Sequence, residues 1–589
     1  MWLICIMILC IGGCTSTDIT SKVFGGIGEG VIAAFGDFNS DELTDVFVIQ
    51  DSMHRLQILY GHDAEPLLQI GPYCTYQQKI IGVVPGDFDG DALMDVMVTL
   101  RDENSNVFWM HINWGNGSEL TCSEKAIAST MGEPLAMDFN RDMIIDLYGL
   151  DRDGVRTFWI FNHVRDTPKV VHQAKRTSGR LTLPNANAYL DLNGDYAADL
   201  FLQTEKFYEI WLGANDSVTE KSFTYDHSIS FEAIGGHDFI VGQAVFMDFE
   251  LKGVQNIVLP FCIHKDCTNS TILVHNGQDF LDVHVNFKDP QGVSWGFVPP
   301  ISEDVYLKAI TARSGDFNMD GYPDLLVTLQ PINAPNYVMK TFLLENVVCK
   351  TCNKPLKRTF EVRWNALNPL GNNTVAGAFY DFYQDGVLDV ILIQKIKEGH
   401  YRPLAFRNTL DYDANFVKVI VLTGLDNAKN PTLRTPLGRK KRTYGSNLPG
   451  PRITYSTTTQ DGAQQTGSSV QLPQSSYFAL QLPYTIFGLG RTPNFVDQLV
   501  VGLGSKFRSW TQLIPNSQII VVPKPLTQPQ HWKAQLFVTP SKLIVMSVIA
   551  LGGTCLVILF IIVILFIKEK REDKQEKLQE AHRFHFDAM

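Results

Sequence analysis

The chain has 589 residues, 62 acidic against 50 basic side chains for a formal net charge of −12, and a hydrophobic content of 45%. It is long enough for several domains and too apolar to be disordered throughout. No basic, aromatic-studded stripe is present, which argues against a nucleic-acid partner.

Residues 1–16 read as a secretory signal: an apolar run reaches Gly13 and small residues follow, although no Lys or Arg precedes the run. The stretch "IGGC" also has the form of a bacterial lipoprotein box, but the rest of the chain favours a eukaryotic secretory protein.

The next feature is a spacing of carboxylates. In "PGDFDGDALMDVMVTL" (85–100), Asp87, Asp89, Asp91 and Asp95 occupy positions 1, 3, 5 and 9 of one loop. Such a set would repel itself without a cation, and it supplies the oxygen ligands that Ca²⁺ prefers. Gly90 permits a sharp turn. An EF-hand needs Glu at position 12 and flanking helices, whereas Val98 stands there inside a β-branched run, so the element is strand–loop–strand. The pattern recurs with Asp37, Asn39, Asp41 and Asp45; with Asp138, Asn140, Asp142 and Asp146; with Asp191, Asn193, Asp195 and Asp199; and with Asp316, Asn318, Asp320 and Asp324. These five complete loops predict about five structural Ca²⁺ sites. Much of the net acidity belongs to them and says little about partners.

Two copies are degenerate. One keeps Asp381, Asp385 and Asp389 but has Tyr383 at position 3; the other has Asp248, Glu250, Lys252 and Asn256. The Lys252 ammonium is expected to neutralise Asp248 and Glu250 in place of an ion, and the loop at Asp381 to bind weakly or not at all. The seven loops start at 37, 87, 138, 191, 248, 316 and 381. Short strands such as "LQILYG", "FWMHINWG" and "FYEIWLG" lie between them. Four short strands per unit is the pattern of a propeller blade, which must stack on neighbours to bury its faces. The expected fold is therefore all-β: a seven-bladed β-propeller over 18–410, then a β-sandwich-like module over 411–523, a stalk over 524–542 and a single transmembrane helix. The module is read from "FVKVIVL", "RITYST", "YFALQL" (477–482), "DQLVV" and "SQIIVV".

Residues 543–567 contain no charge and suffice to span a bilayer at about 1.5 Å per residue. "KEKR" follows, placing the tail 568–589 in the cytosol of a single-pass type I protein at the plasma membrane. At 22 residues the tail is too short to fold alone, though its paired aromatics suit a docking peptide. In the oxidising lumen the expected disulfides are Cys262 with Cys267, Cys349 with Cys352, and by elimination Cys74 with Cys122. "CKTC" lacks the βαβ surroundings of a redox motif. Glycosylation sequons stand at Asn116, Asn215, Asn269 and Asn372. "GRKKRTYG" ends a convertase-like basic run at Arg442, a possible cleavage site that would bear on shedding.

The Asp-Phe-Asn/Asp-x-Asp-x-x-x-Asp loops resemble the FG-GAP repeats of integrin α-subunit propellers, in which they bind Ca²⁺ on one face while ligands are usually recognised on the other. "YTIFGLG", "VDQLVVGL" and "IPNSQIIVVP" resemble the small β-module that often follows such repeats. With "GFVP", "FVKVIVL", "LQLPY", "FGLGR", "IPNSQ" and the tail "EAHRFHFDAM", the order of parts resembles the T-cell immunomodulatory protein (LINKIN) family over nearly the whole chain. The resemblance implies a cell-surface protein of adhesion and T-cell modulation, with cytosolic RuvB-like AAA ATPases and tubulin as partners. Lys252 and the RKKR run depart from the family pattern. An alternative is a membrane-anchored scaffold acting through its tail. A hydrolase accessory role is weaker: there is no Gly-x-Ser-x-Gly elbow and no His-Glu-x-x-His, and "GGIGEG" lacks a strand–helix context. No catalytic residue and no organic cofactor is assigned.

Overall fold

The β-branched run after each aspartate loop can bury both its faces only as an inner strand of a sheet, and the computed structural model places it there. The structure describes residues 17–586 except 102–106, 174–178, 214–222, 232–237, 334–337, 351, 353–355, 410–413, 426–443, 460–461, 476, 492–494 and 539–541. The signal sequence, Asn215 and Arg442 lie outside the described residues.

Among the described residues, seven successive antiparallel sheets of three to five strands occupy 31–75, 79–130, 135–172, 188–230, 240–282, 295–363 and 374–406. Each aspartate loop joins two hydrogen-bonded strands, as in Lys79–Gly86 and Asp95–Arg101, where Gly86 pairs with Asp95. First strands of successive sheets lie side by side: Val31–Gly36 beside Lys79–Gly86, and Leu135–Met137 beside Ala188–Leu190. The arrangement is propeller-like and returns on itself. Ile32 and Phe35 of the first sheet share one hydrophobic cluster with Val375, Ile391 and Ile393 of the last. The last sheet has three strands of its own, and the chain's beginning completes its edge. Asp18 bridges Phe406, the Ile19 N–H donates to the Ala405 carbonyl at 3.0 Å, and the Arg407 N–H donates to Thr17 at 2.8 Å.

Two further four-stranded sheets follow, one built on Asn415–Val421 and one on Arg452–Thr458. Val417, Val419 and Ile519 of the first pack with Ile453, Leu499 and Val501 of the second in one core. Three expectations fail in this half. Residues 477–482 form no strand: Phe478 and Leu480 have positive φ, which breaks any pleat. Instead the segment reaches into the middle of the ring. There the Phe35 N–H donates to Gln474 Oε1 (3.2 Å), the Ala136 N–H to Ser475 Oγ (2.9 Å), and Arg313 Nη2 to the Phe478 carbonyl (2.7 Å). The module is therefore not separate from the ring. Nor are residues 524–542 a free stalk. Trp532 is buried, with its indole N–H donating to the Pro525 carbonyl, and Lys533–Val538 forms the outer strand of the first of these two sheets.

The C-terminal unit holds the helix Lys542–Phe586, whose 45 residues include both the apolar run and most of the tail. The tail, expected too short to fold, continues the helix; Lys568 and Glu572 face each other one turn apart at 3.7 Å. This is the one candidate membrane helix among the described residues. All three expected disulfides are formed, and Cys74–Cys122 ties the first sheet to the second. Asn269 and Asn372 are exposed, whereas the Asn116 side chain caps its own turn by accepting the Ser118 and Glu119 N–H groups.

Candidate metal centres on the aspartate loops

All seven loops share one conformation. Positions 4 and 6 have positive φ in each, between 51° and 92°: Ser40 and Glu42, Gly90 and Ala92, Arg141 and Met143, Gly194 and Tyr196, Leu251 and Gly253, Met319 and Gly321, Gln384 and Gly386. Glycine is therefore not what makes the turn, since most of these residues carry a Cβ that costs about 1–2 kcal/mol there. The position-1 carboxylate holds the loop by accepting backbone N–H groups from positions 5 and 6. Asp37 takes those of Asp41 and Glu42, both at 3.0 Å; Asp316 takes those of Asp320 (3.1 Å) and Gly321 (2.8 Å). Asp248 does the same in its degenerate loop, from Lys252 (2.8 Å) and Gly253 (2.6 Å).

The position-9 carboxylate has a task that the ligand reading missed. One oxygen accepts the N–H of position 2 and the other an N–H near the end of the next strand. Asp95 takes Phe88 (3.0 Å) and Gly115 (2.9 Å), Asp146 takes Phe139 and Phe161, and Asp324 takes Phe317 and Asn346. Asp45, Asp199 and Asp389 repeat this. Asn256 can accept on one side only, so its oxygen takes the Phe249 N–H while its amide donates to the His275 carbonyl. Position 9 pins its own strand, the next strand and the loop together whether or not a metal is bound.

Several observations fit a divalent cation. One carboxylate oxygen each from Asp87, Asp89 and Asp95 lie within 4.8 Å of one another, and all three residues are buried. Asp138 Oδ1 is buried without a hydrogen-bond partner, an acceptor that a metal would satisfy. At position 5 one oxygen of Asp41, Asp142 and Asp195 is engaged by the N–H two residues on, and the other accepts from the position-3 amide of Asn39, Asn140 or Asn193. Burial and then the neighbouring carboxylates push Asp87 up to about 8. Burial foremost raises Asp138, Asp199 and Asp316 to about 7, and it also holds Asp45, Asp95, Asp146 and Asp324 well above the usual carboxylate range. Without a counter-ion Asp87, Asp138, Asp199 and Asp316 are partly protonated near neutrality; a bound cation would hold them ionised.

Four loops also meet cations of the protein itself. The Arg165 guanidinium donates to Asp89 at 2.5 Å and lies 3.4 Å from Asp91. Arg452 of the membrane-proximal half donates to Asp191 Oδ2 at 3.0 Å, to the Gly253 carbonyl at 2.6 Å and to Ser468 Oγ at 3.2 Å. Lys418, also in that half, lies 3.8 Å from Asp381 with both groups buried. Arg358 is 4.0 Å from Asp320. Lys252 does not bridge both acids of its loop as expected. It pairs with Glu250, while the second module sheet approaches Asp248 through the Ser468 N–H (3.2 Å). Gly488 likewise donates its N–H to Asp316 at 2.9 Å, so the module covers the loops of the fourth to seventh sheets.

This architecture has close relatives. A human T-cell immunomodulatory protein is 38% identical over 97% of this chain and 94% of its own length. The chain belongs to the T-cell immunomodulatory protein family. The family extends to protein linkin of Caenorhabditis elegans, 29% identical over 95% of each chain, and to a homologue in Plasmodium falciparum, 26% identical over 93% of this chain and 86% of that one. An FG-GAP-like repeat model matches residues 37–98, and a model described as the C2 domain of ITFG1 matches 443–537. Among solved structures, the β-propeller domain of the Trilobed protease from Pyrococcus furiosus aligns at 11% identity and a TM-score of 0.28, over 64% of this chain and 97% of that one. Its relatives are named as immunomodulatory and linkin proteins, not as enzymes. In this family member two cations absent from the sequence reading, Lys418 and Arg452, help to join the module to the aspartate loops, beside the backbone N–H groups of Ser468 and Gly488.

Proposed function

We propose that the protein is a non-enzymatic, single-pass type I glycoprotein of the plasma membrane whose calcium-stabilised seven-bladed propeller mediates cell adhesion and modulates T-cell responses by protein–protein binding. The seven sheets are the blades, and the two later sheets are the β-sandwich-like module. The observation that carries the reading is the repeated loop with its converging carboxylates, best seen at Asp87, Asp89 and Asp95. Extracellular modules bind Ca²⁺ at about 10⁻⁴–10⁻³ M, so millimolar calcium keeps such loops filled and the metal structural. Because the module covers several aspartate loops, ligand recognition falls to the opposite face of the ring. Binding of a labelled, multimerised ectodomain to a panel of cells tests this. Saturable binding in calcium that is lost in chelator is expected; no binding by folded, calcium-loaded protein refutes the adhesive reading.

A second reading is a membrane-anchored scaffold. The helix that runs on to Phe586 favours it, because a charged helical tail is a ready docking element for cytosolic partners of the RuvB-like ATPase or tubulin kind. Deleting residues 568–589 separates the two readings, since adhesion survives it and scaffolding does not.

A further inference from the structure

We propose that the outer edge strands of the two module sheets, Lys506–Leu513 and Lys533–Val538, rest on the lipid headgroup layer of the bilayer that holds the C-terminal helix. This rests on the reading of that helix as a membrane anchor. Among the described residues each strand is the terminal one of its sheet. Open edges bearing apolar side chains are liabilities in water that folded proteins normally cover. Here Phe507, Ile514, Leu536, Phe537 and Val538 are 37–55% exposed. The two strands share a core and are linked through the turn that precedes the second. Trp510, Leu513 and Ala534 pack against the same core, and Arg508 Nη1 donates to the Gln530 carbonyl at 2.7 Å and to that of Trp532.

Charge identifies the occupant. No Asp or Glu occurs between Asp497 and Glu569, although the chain as a whole is acidic at −12. The same stretch up to Lys542 carries Lys506, Arg508, Lys524, Lys533 and Lys542. Exposed apolar residues interleaved with lysines, and free of acids, match a phosphate-bearing headgroup surface: the stems lie on apolar groups while the ammonium groups reach phosphate. The tether enforces proximity. Phe537 stands five residues before Lys542, a span of at most about 17 Å when fully extended. An open strand edge cannot enter hydrocarbon, because its N–H and C=O groups would lose water, so the contact is confined to the headgroup layer, about 5–7 Å deep. A docked edge would fix the orientation of the ring above the membrane.

The test uses the full chain in lipid nanodiscs, with Cys555→Ala to remove the free thiol and a fluorophore on one cysteine at a time. Phe537→Cys and Ile514→Cys report the edges, Gln535→Cys is a polar exposed position on the same strand, Ile70→Cys is an exposed control in the first sheet, and Val557→Cys reports the helix. Lipids carrying a nitroxide near the headgroup should quench positions 514, 535 and 537 at least twofold more than position 70, and raising the salt should weaken that quenching. An unquenched label at 557, with lipids spin-labelled along the chain, refutes the membrane anchor itself. Quenching at 557 with 514, 535 and 537 no different from 70 overturns the docking. Labels at 535 and 537 shielded from an aqueous quencher yet untouched by lipid nitroxides assign the surface to a protein instead, and also overturn it.

Discussion

Arg452→Ala is the most informative single substitution. Arg452 is 7% and Asp191 0% exposed, and the guanidinium joins the fourth loop, the fifth loop and the module through three hydrogen bonds. Removing one member of a buried pair strands the other charge and costs about 3–5 kcal/mol. The compact unit ends at Phe537; over its roughly 520 residues the unfolding entropy is about 1.1 kcal/mol/K, so the expected fall in Tm is about 3–5 °C if it unfolds as one unit. Asp191 is also position 1 of a complete loop, so calcium can replace the guanidinium as its counter-charge. The loss should therefore be full in chelator and markedly smaller in millimolar calcium, as read by scanning calorimetry of the variant and parent in both buffers. A shift below 1 °C in chelator, or equal shifts in the two buffers, refutes the reasoning.

Lys418→Met should cost a similar amount, about 3–5 kcal/mol, because Asp381 loses its buried partner. Here calcium should not rescue, since Tyr383 removes a ligand from that loop; recovery of the melting temperature in calcium would contradict the assignment. In chelator, the raised values of Asp87 (about 8) and of Asp138, Asp199 and Asp316 (about 7) mean that the folded state binds more protons than the unfolded one between pH 4 and 8. Stability of the metal-free protein should then fall as pH rises through that window, and saturating calcium should abolish or reverse the slope; denaturant titrations at pH 5.5 and 7.5 decide it. Replacing Cys74 and Cys122 together by alanine opens a 48-residue loop, with an expected loss of up to about 4 kcal/mol measured by urea unfolding.

Much of the ring was legible because β-branched, uncharged runs and a nine-position carboxylate spacing are local signals, and each sheet repeats them. Two disulfides followed from compartment and short separations, and Cys74–Cys122, 48 residues apart, by elimination. The role of position 9 was half legible: its invariance across six of the seven loops reflects two backbone N–H groups that must be satisfied, a need that looks the same in sequence as a metal ligand. Lys418 left a trace, a lone charge inside the otherwise apolar "FVKVIVL", but its partner lies 37 residues upstream on another element and no pattern pairs them. Segment 477–482 was misread because its apolar run fits a strand, whereas Phe478 and Leu480 have positive φ and are buried. The sequence around 524–532 has the prolines of a linker, yet burial of Trp532 at 1% exposure holds it down.

The segment that fills the middle of the ring has a consequence for biosynthesis. Phe35 and Gln474 are 439 positions apart. At about 5–20 residues per second of translation, the first sheet waits roughly 20–90 s for that partner to emerge. Throughout that interval the nascent ring has neither its axial filling nor its final neighbour, and its inner strands stay open to solvent. A chain halted before residue 471 has no means of ending that exposure. The protein is therefore committed to a long stay with whatever guards unfinished polypeptides in its compartment, and its yield should depend more on translation speed and guardian supply than on the stability of the finished fold.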